Sequence, residues 1–158
     1  MTYRIKYASF GSVSHGTMRT EDLLESFSDE LEYQMKRQPK RFPRKALRSL
    51  VRAAQRALSN PDPDMLDCDS DTVNELIDAL NEFAPPYAYF GANDGDGSDY
   101  GYRLSSDMPY SFDGLKVDDT SEVPRDYRGE VLHVNDHGNM TLYIANGRGR
   151  LTEVWGVV

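Results

Sequence analysis

The chain has 158 residues, with 26 Asp or Glu against 18 Lys or Arg, a formal net charge of -8 and a pI near 4.8. That length suits one domain able to bury a core without disulfides or a structural metal, and the single cysteine, Cys68, excludes an internal disulfide. The acidic balance opposes non-specific binding to polyanions. No run approaches the ~18 apolar residues of a membrane span, and the start MTYRIKYASF lacks a secretory apolar run, so a cytoplasmic protein is expected.

In chain order, Tyr3 to Phe10 alternates like a strand and the turn-rich GSVSHGT follows it. A helix is then expected from an N-cap at Thr20, with Glu21 and Asp22 complementing its positive end. Leu24, Phe27, Leu31 and Met35 recur at helical spacing, and Pro39 stops the helix. A second helix is expected from Pro43 to about Leu58. The acidic connection NPDPDMLDCDSD leads to a third, capped by Ser70, with an apolar stripe of Val73, Leu76, Ile77 and Leu80. From Pro86 onward the pattern changes to short strands at Tyr87 to Phe90, Tyr100 to Leu104, Val131 to Val134, Met140 to Ala145 and Leu151 to Val158. The turns NDHG and NGRG make the last three a meander. Met140, Leu142 and Ile144 share the face expected to pack. The fold expected is α+β: a single domain of three consecutive helices packed on an antiparallel sheet that ends in a three-strand meander, joined by the N-terminal strand.

Charge is unevenly placed along this pattern. Nine Lys or Arg and no acid lie between Lys36 and Arg56, whereas Pro61 to Asp136 holds nineteen acids and four basic residues. On the second helix Leu47, Leu50, Val51, Ala54 and Leu58 occupy one arc of about 100° and Arg44, Lys45, Arg48, Arg52 and Arg56 another of about 120°. The plainer reading of that basic face is a solvated or internally paired surface; the sharper one is a grip on phosphate. No aromatic interleaves it as stacking on single strands requires.

Three groups invite a chemical reading. Asp94, Asp96 and Asp99 crowd the glycine-rich stretch Gly91 to Gly101, but the ligand order of a helical calcium loop and its later Glu are missing, which favours a hairpin loop. His133, Asp136 and His137 flank one turn and could offer zinc ligands, although a strand histidine beside Val131 is more often partly buried and hydrogen-bonded. Cys68 or Ser14 with His15 matches no nucleophile signature, and acidic neighbours raise a thiol's pKa. No catalytic residue, metal or cofactor is assigned.

The segments SVSHGTMRTEDLL, PYAYFGANDGDGSDYGY and VLHVNDHGNMTLYIANGRGRLTEVWGVV, about half the chain, resemble small acidic proteins of phages, plasmids and other mobile elements. The resemblance implies an accessory protein that binds a host machine, including inhibitors of CRISPR or restriction systems, and transfers no functional residue. It agrees with the charge: Asp62, Asp64, Asp67, Asp69 and Asp71, with Asp94, Asp96 and Asp99, are the acids expected to meet a basic host surface that otherwise holds nucleic acid. A nucleic-acid-binding module built on Arg44 to Arg56 is the alternative, a hydrolase or metal-dependent enzyme on His15, His133 and Asp136 is the third reading, and a homodimer pairing one chain's basic helix with another's acids is a further arrangement. Tyr87, Tyr89, Tyr100 and Tyr102 are candidate aromatic anchors or half-buried sheet residues.

Overall fold

The computed structural model describes residues 6–38 and 43–158, and the chain divides into two compact units, Met1–Ser105 and Ser106–Val158. The architecture is α+β.

The first unit opens with a short strand, β1 (Gly11–Ser14), and a long helix, α1 (Thr20–Arg37), that buries Leu23, Leu24, Phe27, Leu31 and Met35. Of the strand expected at Tyr3 to Phe10, residues 3–5 lie outside the described residues and 6–9 are not strand. The strand forms one step later, in the segment read as a turn. Its partner explains why: an added Cβ on Gly101 would stand 2.0 Å from the Gly11 carbonyl oxygen and 2.8 Å from the Ser12 Cα. Only small residues tolerate so close an approach. Thr20 is the first residue of α1 rather than its cap. The side chain that ties down this end is Thr17, whose hydroxyl accepts from the Arg19 N–H (3.2 Å) and donates to Asp22 Oδ2 (2.6 Å).

The second helix, α2 (Arg44–Ser59), follows Pro43 as its pattern requires and buries Val51 and Ala54 fully. A 3₁₀ turn at Pro63–Met65 then feeds α3 (Leu66–Asn81), which starts four residues before the expected cap at Ser70. The Asp62 carboxylate accepts from the Asp64 N–H at 3.0 Å, and Pro63 presets the first turn; this Asp-Pro start precedes Ser70, which falls inside the helix.

Strands β2 (Ala88–Asn93) and β3 (Asp96–Leu104) form a hairpin, and the sheet order is β1-β3-β2, antiparallel throughout. Much of the stretch read as a glycine-rich loop is therefore strand. The turn entering β2 is closed by Ala88 N–H donating to Pro85 O, with Pro86 second and Tyr87 third at φ 64°, the geometry a type II turn demands. Helices α1 and α3 pack on the sheet through β1 and β2, while α2 packs on α1 and α3. The core centres on Phe27, whose ring meets Phe90 and Tyr100 edge-on at 5.2 and 5.3 Å, with Tyr102 against Phe90 at 5.0 Å.

The second unit holds a four-residue helix, α4 (Met108–Ser111), and strands β4 (Leu115–Val117), β5 (Arg128–Val134), β6 (Met140–Asn146) and β7 (Leu151–Val157), ordered β4-β5-β6-β7. The C-terminal meander forms at the expected strands. Asn135 Oδ1 accepts from the His137 and Asn139 N–H groups, and Asn146 Oδ1 from those of Arg148 and Arg150, so each turn is closed by its own asparagine. Two features depart from expectation. The fourth strand of this sheet is β4, parallel to β5, whereas the N-terminal strand belongs to the first unit's sheet. Of the face expected to pack, Leu142 is buried, as are its strand partners Leu132 and Trp155, while Ile144 is 42% exposed; the face carrying Tyr143 has a core as well, Val117, Val131 and Ala145 covered by Val123 and Tyr127.

Candidate functional site

The acidic connection and three helix ends build a groove in the first unit. Leu24 of α1, Ala57 and Leu58 of α2 and Leu66 of α3 give it apolar walls, joined by Pro61 and Pro63, and it encloses about 400 Å³. Carboxylates stand at its margin: Glu21 at the start of α1, Asp62 before the 3₁₀ turn and Asp69 in the first turn of α3. Leu66 is 57% exposed, and its neighbour Met65 is 46% exposed. An exposed apolar cluster framed by one sign of charge is unusual on a surface with no binding task.

The acids of the connection divide by environment. Asp62, Asp64, Asp67 and Asp71 are exposed, and Asp69 is half-buried at the groove. At the β2–β3 hairpin, Asp94 and Asp96 are exposed, and Asp96 Oδ1 accepts from the Ser98 hydroxyl (2.7 Å) and N–H (3.0 Å). Those bonds hold its carboxyl below the ordinary value. Asp99 is different: it is buried, its Oδ2 is 2.6 Å from Arg103 Nη2, and hydrogen bonding with Ser12, with the Arg103 charge behind it, lowers its pKa. Expected among the acids offered to a partner, it is committed inside its own chain. Strand alternation supplies the reason, since residues 99, 101 and 103 of β3 share one face.

The basic face of α2 has the opposite character. Lys45, Arg48, Arg52 and Arg56 are exposed, and no carboxylate of the described residues lies within ion-pair distance of them. Arg44 is half-buried and donates to the Met35 carbonyl oxygen at 3.2 Å. The contact between α1 and α2 at this level is neutral on one side, Gln55 Nε2 donating to Glu32 Oε1 at 3.3 Å. The first turn of α2 holds no acid, so the positive end of its dipole adds to Arg44 and Lys45.

The remaining candidates do not assemble. Among the described residues no three His, Cys, Asp or Glu side chains form a group able to hold a metal ion. His133 is half-buried with Nε2 3.0 Å from the Asp118 carbonyl oxygen, while Asp136 and His137 are exposed in the turn; His15 belongs to the other unit. Cys68 is exposed on α3 and Ser14 is buried. Tyr102 lies in the core, where burial pushes its hydroxyl far up, and Tyr87, Tyr89 and Tyr100 are half-buried. Among the described residues the exposed aromatics are Tyr33 and Tyr110, with Arg37 stacked 5.5 Å from the Tyr33 ring. Neither was distinguished in the sequence, although Tyr33 falls opposite the apolar stripe of α1.

Among the described residues no helix is long and apolar enough to cross a membrane. Comparison with family models, with curated proteins and with solved structures found no match.

Proposed function

We propose that this protein is a non-catalytic accessory protein that binds and inhibits or modulates a host protein complex, taking a basic, partly apolar segment of it into the groove between α1, α2 and α3. The observation that carries this reading is the pairing of apolar walls at Leu24, Leu58 and Leu66 with carboxylates at Glu21, Asp62 and Asp69. Apolar walls supply affinity by excluding water, and the carboxylates select Lys or Arg on the flanks of the bound segment. Asp64, Asp67 and Asp71 extend the same field beyond the groove and favour a partner surface that otherwise holds nucleic acid.

The test uses the full chain, tagged, against nuclease-treated bacterial lysate at two salt concentrations, with the D62K/L66E variant in parallel. Both positions are exposed, but D62K also removes the Asp62 bond to the Asp64 N–H, so circular dichroism of the variant and a single L66E variant accompany the test. The expected result is one stoichiometric protein that is retained at low salt, elutes at high salt and is lost at least tenfold on the variant. Retention that is indifferent to D62K/L66E, or no retained protein, rejects the groove as the partner site.

A further inference from the structure

The basic face of α2 lies outside the groove's function and points to a different ligand. In a chain with 26 acids, Lys45, Arg48, Arg52 and Arg56 stand exposed without one of those carboxylates as partner. No acid lies between Lys36 and Arg56 in sequence, and side-chain links from α2 to α1 run from Arg44 to the Met35 carbonyl oxygen and from the neutral Gln55 to Glu32. We propose that this face is a binding site for the phosphate backbone of double-stranded DNA, held without reading the bases.

Geometry and charge both bear on the choice. Lys45 to Arg56 spans twelve residues of helix, a rise of about 16 Å, over which a duplex presents about ten phosphate charges. Each cation therefore finds a phosphate within reach, and each contact releases condensed counterions, a driving force that persists in a protein of net negative charge when the face itself is locally positive. The apolar side of α2 packs on α1 and α3, which leaves the helix its basic face for a ligand, and contacts from Lys and Arg charge to phosphate carry no base sequence. Two other occupants fit less well. A membrane surface needs exposed large apolar side chains beside the cations, whereas the other exposed positions from Lys45 to Arg56 are Ala46, Ser49 and Gln55. The acidic surface of a second copy would form exposed ion pairs, which contribute little to association.

The experiment is fluorescence anisotropy of a labelled duplex of arbitrary sequence titrated with the full chain. Four phosphate contacts give a log–log salt slope of about -3.6, so affinity should fall about 150-fold between 50 and 200 mM salt. Arg48→Glu with Arg52→Glu should remove measurable binding, and Arg48→Lys with Arg52→Lys should keep affinity within about threefold, because a phosphate contact requires charge more than a fork. Circular dichroism of each variant confirms that α2 remains folded. The proposal is overturned if the duplex is not bound at the lowest salt, if binding ignores salt, or if the double glutamate variant binds as the native chain does. Binding to anionic vesicles without binding to the duplex overturns it in favour of a lipid surface. Self-association without duplex binding, lost in the glutamate variant, assigns the face to a second copy. The groove variant D62K/L66E should retain duplex binding, which separates this proposal from the protein-binding reading.

Discussion

Asp99 and Arg103 show how one strand decides the role of a charge. In the string DGDGSD three aspartates look alike, yet two sit exposed at the hairpin end and the third, one strand turn further on, faces Ser12 and Arg103 inside the sheet. The signal was present in the alternation of Asp99, Gly101 and Arg103, but glycine spacing suggested a loop and hid it. A carboxyl whose folded value is lowered adds stability above its unfolded value, and that contribution is lost as pH falls through the folded value. Acid titration of the unfolding midpoint should therefore show a shallower decline below about pH 4 in Asp99→Asn than in the native chain, with the variant already weaker at pH 7. Equal slopes in the two proteins would mean that the pair contributes nothing to the pH dependence.

Among elements, α2 was the most legible and β1 the least. An unbroken amphipathic pattern with Pro43 at its start leaves one solution for residues 44–59. Aromatic and β-branched residues point to a strand one segment early, whereas the place of β1 is set by a backbone contact that only a glycine at 101 permits. Gly101→Ala tests that contact. A methyl group would have to displace the Gly11 carbonyl, at a cost of about 1–3 kcal/mol. Urea unfolding followed by far-UV circular dichroism should show a lower midpoint, and hydrogen exchange should show the loss of protection centred on residues 11–14 and 100–102. The beginning of α3 was misplaced for a related reason: Ser70 is a good cap in isolation, but the Asp62–Pro63 pair lies earlier and forms a start of its own. Strand β4 and helix α4, three and four residues long, carry too few side chains to show a period.

At the scale of the whole molecule, the α+β class, the three consecutive helices and the C-terminal meander were all legible, because each rests on local pattern and turn chemistry. The groove was not. It depends on the ends of three helices converging, and no stretch of sequence contains it. Net charge acts at this scale too. With a formal charge of -8 and exposed acids at Asp62, Asp64, Asp67 and Asp71, the folded chain repels itself, and added salt screens that repulsion. The melting temperature should accordingly rise by about 2–4 °C between low and moderate sodium chloride, read by differential scanning calorimetry. A fall instead would mean that attractive pairs outweigh the net charge.

Helix α2 fully buries only Val51 and Ala54 and leans on α1 and α3, yet it supplies Ala57 and Leu58 to the groove and Lys45, Arg48, Arg52 and Arg56 to the open basic face. One lightly anchored rod thus borders both of the surfaces proposed to bind. Any ligand that settles the rod at one surface alters the work needed to occupy the other, and linkage makes the effect equal in both directions: a partner in the groove changes the affinity for a polyanion by the same factor as the polyanion changes the affinity for the partner.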